Sequence, residues 1–178
     1  MTPPPESPRG TDADDWRRAT DGDGEAFGRI FDRHRDRLYR HSLRLAVTPA
    51  DADDVVAMAF FEAWRKRASV RVVDGSVLPW LLVTATNIAR NQRRSASRYR
   101  ALLERLPPRA HDDRDPAEEH EVVSHLRALP TADREILALC VIEGFSEREA
   151  AEALGVAPGT VKSRLHRARR RLAARLAV

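Results

Sequence analysis

The chain has 178 residues, 33% of them charged, 6% aromatic and 42% apolar, a balance too polar for a membrane protein and too apolar for a wholly disordered one. No window approaches the roughly 18 uncharged apolar residues of a membrane span. The opening Met1-Thr2-Pro3-Pro4-Pro5-Glu6 lacks a secretion signal's basic and apolar segments, and a lone Cys140 excludes disulfide frameworks and multi-cysteine zinc sites, so a soluble cytoplasmic protein is expected.

Residues 1–22, rich in Pro, Asp and Gly, read as a disordered tail. A helical stripe then starts near Asp23 with Phe27, Ile30, Phe31, Leu38 and Leu45. His34 and His41 share that stripe and read as core-edge histidines, because no third ligand is spaced to join them around a metal. Thr48-Pro49-Ala50-Asp51 is a helix start: a capping hydroxyl, Pro at the first helical position and an acid at N3. That helix is expected to reach about Arg67. A loop at Asp74-Gly75-Ser76 precedes a long helix from Leu78 to about Arg100, apolar in its first half and rich in arginine in its second.

Pro107-Pro108 to Pro116 is acidic and without periodicity, and reads as a flexible linker over 106–117 between domains at 23–105 and 118–178. Four further helical segments are expected, at Ala117–Leu129, Thr131–Glu143, Ser146–Leu154 and Pro158–Leu176. With no alternating strand pattern and no phosphate-binding glycine loop, the expected fold is all-α, two small helical domains.

Charge is unevenly spread. Lys+Arg 31 against Asp+Glu 27 leaves +4, yet from Ala153 onward there is no acid, while Lys162, Arg164, Arg167, Arg169, Arg170, Arg171 and Arg175 all fall there. A basic end on a nearly balanced chain points to a polyanion. Ser146-Glu147-Arg148-Glu149 is a capping box, Gly155 suits a left-handed helix end, and Pro158-Gly159-Thr160 opens the next helix. Two short helices joined in this way are a helix-turn-helix, whose second helix enters the major groove. Ser146, Thr160, Lys162, Ser163, Arg164, His166 and Arg167 are therefore the candidate duplex-DNA residues. Helix-dipole complementation explains Arg169 to Arg175, but it opposes Lys162 and Arg164 near the N-terminus. An anionic partner accounts for those two.

Leu129-Pro130 through Arg134-Glu135, Gly144-Phe145-Ser146 and Gly159 through Arg169 resemble region 4, the promoter-binding domain of extracytoplasmic-function (ECF) sigma factors of the sigma-70 family. Asp53-Asp54-Val55-Val56 with Phe60 and Trp64 resembles that family's polymerase-binding helix. Pro79-Trp80-Leu81-Leu82-Val83-Thr84-Ala85-Thr86-Asn87 resembles its promoter-melting helix. Asp53, Thr84, Thr86 and Asn91 stand where the family more often has Glu, Ile, Arg and Asp. The resemblance implies core-polymerase contacts at Asp53, Asp54, Val55, Phe60 and Trp64. It implies −10 and melting contacts at Trp80, Asn87, Arg90, Arg93 and Arg94, and −35 contacts on the helix-turn-helix. The implied partners are core RNA polymerase and promoter DNA, with room for an anti-sigma factor and no membrane insertion.

Opening a promoter requires single-stranded bases held on apolar or aromatic surfaces, with basic groups along the backbone. The loop from Ser69 to Val77 and the run from Arg90 to Arg100 offer such groups. Trp80 can equally be a core residue, and Cys140, inside an apolar run, reads as a small buried hydrophobe. No nucleophile–base pair, metal set or cofactor motif is visible, so no enzyme is expected. The alternative function is a helix-turn-helix transcription regulator that is not a polymerase subunit.

Overall fold

The structure, a computed structural model, describes residues 11–103 and 125–176. Among these it is helical, apart from one isolated bridge between Val73 and Ser76. The first body comprises α1 (Asp12–Thr20), α2 (Gly24–Leu45), α3 (Pro49–Arg65), a 3-10 turn (Arg67–Ser69) and α4 (Leu78–Leu103). The second comprises α5 (Thr131–Leu137), a π-helical turn (Ala138–Ile142), α6 (Glu147–Leu154) and α7 (Pro158–Leu176). The linker expected over 106–117 lies outside the described residues, as do residues 1–10 of the expected tail.

One expectation needs correction. Residues 12–20, assigned above to a tail, form helix α1. Thr11 caps it by accepting from the Asp14 amide, and Trp16 and Ala19 are buried in the first core. Charge adds to that burial: Asp15 receives both Arg29 (2.8 Å) and Arg33 (2.7 Å) from α2.

The first core follows the expected stripes. Ile30, Leu38 and Leu45 of α2 meet Val55, Ala59 and Phe60 of α3 and Leu81, Leu82 and Ala85 of α4. Thr48 and Asp51 form the anticipated reciprocal cap. Thr86 is buried between helices. Its hydroxyl donates to the Leu82 carbonyl (2.8 Å), so it must accept from His41 Nε2 (2.9 Å). Both histidines are buried, and among the described residues no His/Cys/Asp/Glu group could hold a metal ion.

The second core gathers Leu126, Leu129, Ile136, Leu137, Leu139, Ala150, Leu154, Val161, Leu165 and Ala168. The segment expected as one helix to Glu143 widens at Ala138, where the Glu143 amide reaches back to the Ala138 carbonyl (3.0 Å). That extra residue per turn aims Glu143 at α2 and leaves Val141 and Ile142 exposed. The two bodies touch. Ala138 joins the first core, and Phe145 packs against both.

Candidate functional site

Three surfaces carry chemistry. The most regular is the helix-turn-helix of α6 and α7. Ser146 and Glu149 form the expected capping box, and Gly155 ends α6 at φ 64°. Val161, Leu165 and Ala168 are buried, which turns Lys162, Ser163, His166 and Arg167 to solvent, with Arg164 and Thr160 half-buried beside them. This is the face that the spacing assigned to DNA. Ser146 is exposed, but its hydroxyl and amide are both committed to Glu149 Oε2 (2.6 and 2.8 Å). Arg171 is not a surface cation waiting for phosphate: it pairs with the buried Asp133 and clamps α7 to α5.

The second surface is the outer face of α4. Trp80, Thr84, Asn87, Asn91, Arg94 and Arg98 recur at helical spacing and lie within about 40° of one line. Trp80 is half-buried, its ring packed against the first core, while Arg94 is exposed. The tight turn Val73–Ser76 sits before this face, with Asp74 at φ 49° and Gly75 at φ 75° and mutual Val73–Ser76 backbone bonds of 2.9 Å. Consecutive left-handed residues of this kind make a type I′ hairpin.

Arg90 and Arg93, grouped with Arg94 on sequence, point elsewhere. Arg90 forks onto Glu135 through Nη2 (2.6 Å) and Nε (3.2 Å), and its Nη1 donates to the Leu154 carbonyl at 3.3 Å. Arg93 faces Arg134 at the junction of the two bodies, with buried Nε and Nη2 lacking hydrogen-bond partners. Burial, aided by the charges of Arg134 and Arg127, pulls the Arg93 guanidinium down to about 10. A second cross-body contact centres on buried Glu143. It meets Arg37 Nε (3.0 Å), His41 Nδ1 (3.4 Å) and Arg44 (3.9 Å). Burial raises the Glu143 carboxyl, and its contacts with His41 and Arg37 more than reverse that, leaving it below the ordinary range.

The third surface is α3. Ala52, Val55, Val56, Ala59, Phe60 and Ala63 fill the core, so Val55 and Phe60, expected to touch a partner, lie within the first body and off its open face. Asp53 and Asp54 are exposed, and the side chains that join them on the open face are Met58 (46% exposed) and Phe61 (57% exposed). Their position could have been found from the sequence: they fall on the opposite side of the helix from the 52-55-59-63 stripe. Trp64 is half-buried against Phe27 (5.0 Å between rings), with Arg67 stacked on it at 4.6 Å. An open groove beside this face is lined by Phe31, Arg35, Tyr39, Asp53, Val56 and Ala57. Cys140 is half-buried against the second core, and burial, then Glu147, pushes its thiol up.

Comparison with known proteins divides the chain at the same place. Residues 30–99 match the sigma-70 region 2 family and residues 120–172 match sigma-70 region 4. The chain is 36% identical over 153 residues to the ECF RNA polymerase sigma factor SigM of Mycobacterium tuberculosis, covering 85% of this chain and 78% of that protein. It is 31% identical over 156 residues to the RNA polymerase sigma factor CarQ of Myxococcus xanthus, covering 84% and 88%. Among solved structures it resembles CnrH in complex with the cytosolic domain of CnrY, at TM-score 0.65 and 30% identity over 93% of this chain and 97% of that one. It also resembles RpoE of Bartonella quintana in complex with the anti-sigma factor NepR, at TM-score 0.66 and 27% identity over 80% and 91%.

Proposed function

Because the chain belongs to the ECF group of the sigma-70 family, we propose a division of labour among its three surfaces. It is a sigma factor that binds core RNA polymerase and directs promoter-specific initiation. In our reading the α3 face, with Asp53, Asp54, Met58 and Phe61 and the neighbouring Trp64, docks on the polymerase. Apolar anchors rimmed by acids suit a partner surface that is itself apolar and basic. The outer face of α4, through Trp80, Asn87 and Arg94, together with the hairpin at 73–76, receives the single-stranded −10 bases. The exposed face of α7, through Lys162, Ser163, His166 and Arg167, reads the −35 duplex.

Arg90 and Arg93 join the −10 set only after the two bodies part, since Glu135 holds the first and the junction encloses the second. The work is done by differential binding, without a covalent step, in the cytoplasm where polymerase and chromosome meet. Anti-sigma factors bind the relatives RpoE and, by analogy of complex, a partner binds CnrH. A comparable regulator is proposed here.

One observation carries the reading: a helix-turn-helix with its basic face free lies in one chain with a second domain of matching family. Run-off transcription with purified core polymerase and a promoter library tests it. A defined start site dependent on both elements supports the reading. DNA binding without polymerase-dependent initiation would instead favour the regulator that acts outside the polymerase.

A further inference from the structure

Asp12, in the first turn of α1, sits where three segments meet. Its carboxylate is only 10% exposed and receives four donors. Oδ1 accepts from Arg33 Nη1 and His34 Nε2, both at 2.8 Å. Oδ2 accepts from the Ser76 hydroxyl at 2.6 Å and from the Val77 amide at 3.0 Å. An ionised carboxylate cannot donate, so His34 carries its proton on Nε2. Burial raises this carboxyl, and the donors more than reverse that, holding it well below the ordinary carboxylate range.

The contact is one-sided in an informative way. Val77 flanks the start of α4, its carbonyl accepting from the Leu81 amide, and the first amides of a helix have no partner within it. Here Ser76 Oγ takes the Leu78 amide (3.1 Å), while the Val77 amide is taken by Asp12, a residue from another helix. Ser76 is also the last residue of the 73–76 hairpin, and its hydroxyl hydrogen goes to the same Asp12. One carboxylate thus ties the foot of the hairpin to the first turn of α4, and Arg33 and His34 tie that carboxylate to α2. Without it, the hairpin is held by its own two backbone bonds and by the flanking Val70, Val72 and Val77 against the core, with no bond from another element at Ser76.

We propose that α1 is a working part of the promoter reader, with Asp12 a positioning residue that fixes the 73–76 hairpin against the outer face of α4. The proposal rests on the −10 reading given above. A hairpin free to swing must be ordered when it meets a base, and that ordering costs affinity and blurs discrimination. A hairpin already fixed at the start of α4, the helix that carries Trp80 and Asn87, presents itself to the single strand in one orientation.

The test uses full-length protein reconstituted with core polymerase and sequencing of transcripts from two libraries, one randomised at −10 and one at −35. Asp12→Asn removes the charge at equal size. Ser76→Ala removes the hydroxyl's bond to Asp12 together with its cap on the Leu78 amide, and leaves α1 paired to α2. Ser76→Thr keeps the hydroxyl. Asp12→Asn and Ser76→Ala are expected to flatten the −10 preference about tenfold, as the loss of a charge-assisted hydrogen bond predicts. Ser76→Thr retains the preference. In all three the −35 preference and core affinity stay unchanged, and amide exchange over 70–78 quickens in the first two.

Arg71→Ala, in the exposed part of the loop, separates two failures. If it alters the −10 preference while Asp12→Asn and Ser76→Ala do not, the loop reads DNA and the positioning role is wrong. If none of the three alters it, the −10 reading falls and the proposal falls with it. An equal loss at −10 and −35 would reduce Asp12 to a general stabiliser, which also overturns the proposal.

Discussion

Two helices of this protein are rich in arginine, and they spend it in opposite directions. In α7 the buried residues Val161, Leu165 and Ala168 fix the helix, so Lys162, His166, Arg167, Arg169 and Arg170 face water. In the second half of α4, among the described side chains up to Tyr99, only Ala89 is buried beyond Thr86, and no long apolar stripe orients that stretch. There Arg90 is consumed by Glu135, Arg93 is enclosed beside Arg134, and Arg94 and Arg98 stay exposed. An arginine count therefore says little about nucleic acid. The phase of each arginine relative to a packed face says much more, and α4 shows how a second body can change that phase's meaning.

The contrast breaks most visibly at Glu135. Glu135→Gln keeps the shape but leaves Arg90, Arg93 and Arg134 facing one another without their shared carboxylate. Removing one partner from a buried pair costs about 3–5 kcal/mol, and the lower end is expected because Arg90 retains 21% of its side-chain exposure. The two bodies should part, so the radius of gyration from small-angle scattering rises. Non-specific DNA binding should gain a salt slope steeper by about one unit as Arg90 is released. An unchanged radius with an unchanged slope would mean that Arg90 is not restrained by Glu135 in solution.

On α7 the comparison is sharpened by Arg167→Ala against Arg170→Ala. Arg167 lies on the exposed face at the middle of the helix, on the side of Lys162 and Ser163, whereas Arg170 lies nearly a turn further along. Arg171 makes a poor control, because its removal strands the buried Asp133. Loss of a base contact costs about 1–3 kcal/mol and appears only on promoters with an intact −35 element. Loss of a phosphate contact weakens intact and scrambled elements alike. Equal behaviour of the two mutants on both promoters would strip Arg167 of any reading role.

A smaller effect is expected at the turn that aims α7. Gly155 occupies a left-handed conformation at φ 64°, and a Cβ there would touch nothing within 4 Å. Gly155→Ala therefore isolates the conformational term, about 1 kcal/mol for a non-glycine residue in that region. Urea unfolding should show that loss. A mutant as stable as the parent would mean that α6 can end in another way.

Local chemistry made much of this legible. Thr48 with Asp51, Ser146 with Glu149, and Gly155 each carry their signal within a few residues, and all three act as their sequence implies. The α7 face was legible because one clean apolar stripe decides it. Helix α1 was missed although Thr11 and Asp14 carry a local cap, because what fixes it, Trp16 in the first core and Asp12 and Asp15 against Arg29 and Arg33, lies beyond its own residues. The fate of Arg90 was hidden for the same reason: its partner is 45 residues away, in the other body. The burial of Val55 and Phe60 was not legible in the family resemblance, which named a helix, because burial within that helix is set by phase.

The second cross-body contact offers the gentlest probe, by pH. Glu143 faces Arg37, His41 and Arg44 of α2, and its carboxyl lies below the ordinary 4.5 despite burial. A group lowered in the folded state stabilises that state above its unfolded pKa, and the contribution is lost as pH falls through the folded value. Glu143→Gln should therefore be less stable than the parent at neutral pH, and the gap should close below 4.5 as the parent's carboxylate takes up its proton. Thermal melts of the two proteins, compared as a difference at each pH, remove the titration of every other acid. The effect should be smaller than at Glu135, because Arg37 keeps 49% of its side-chain exposure and water already screens the pair. A gap that stays constant into acid would mean that Glu143 holds the two bodies by shape and hydrogen bonding alone, and that its charge plays no part in their closure.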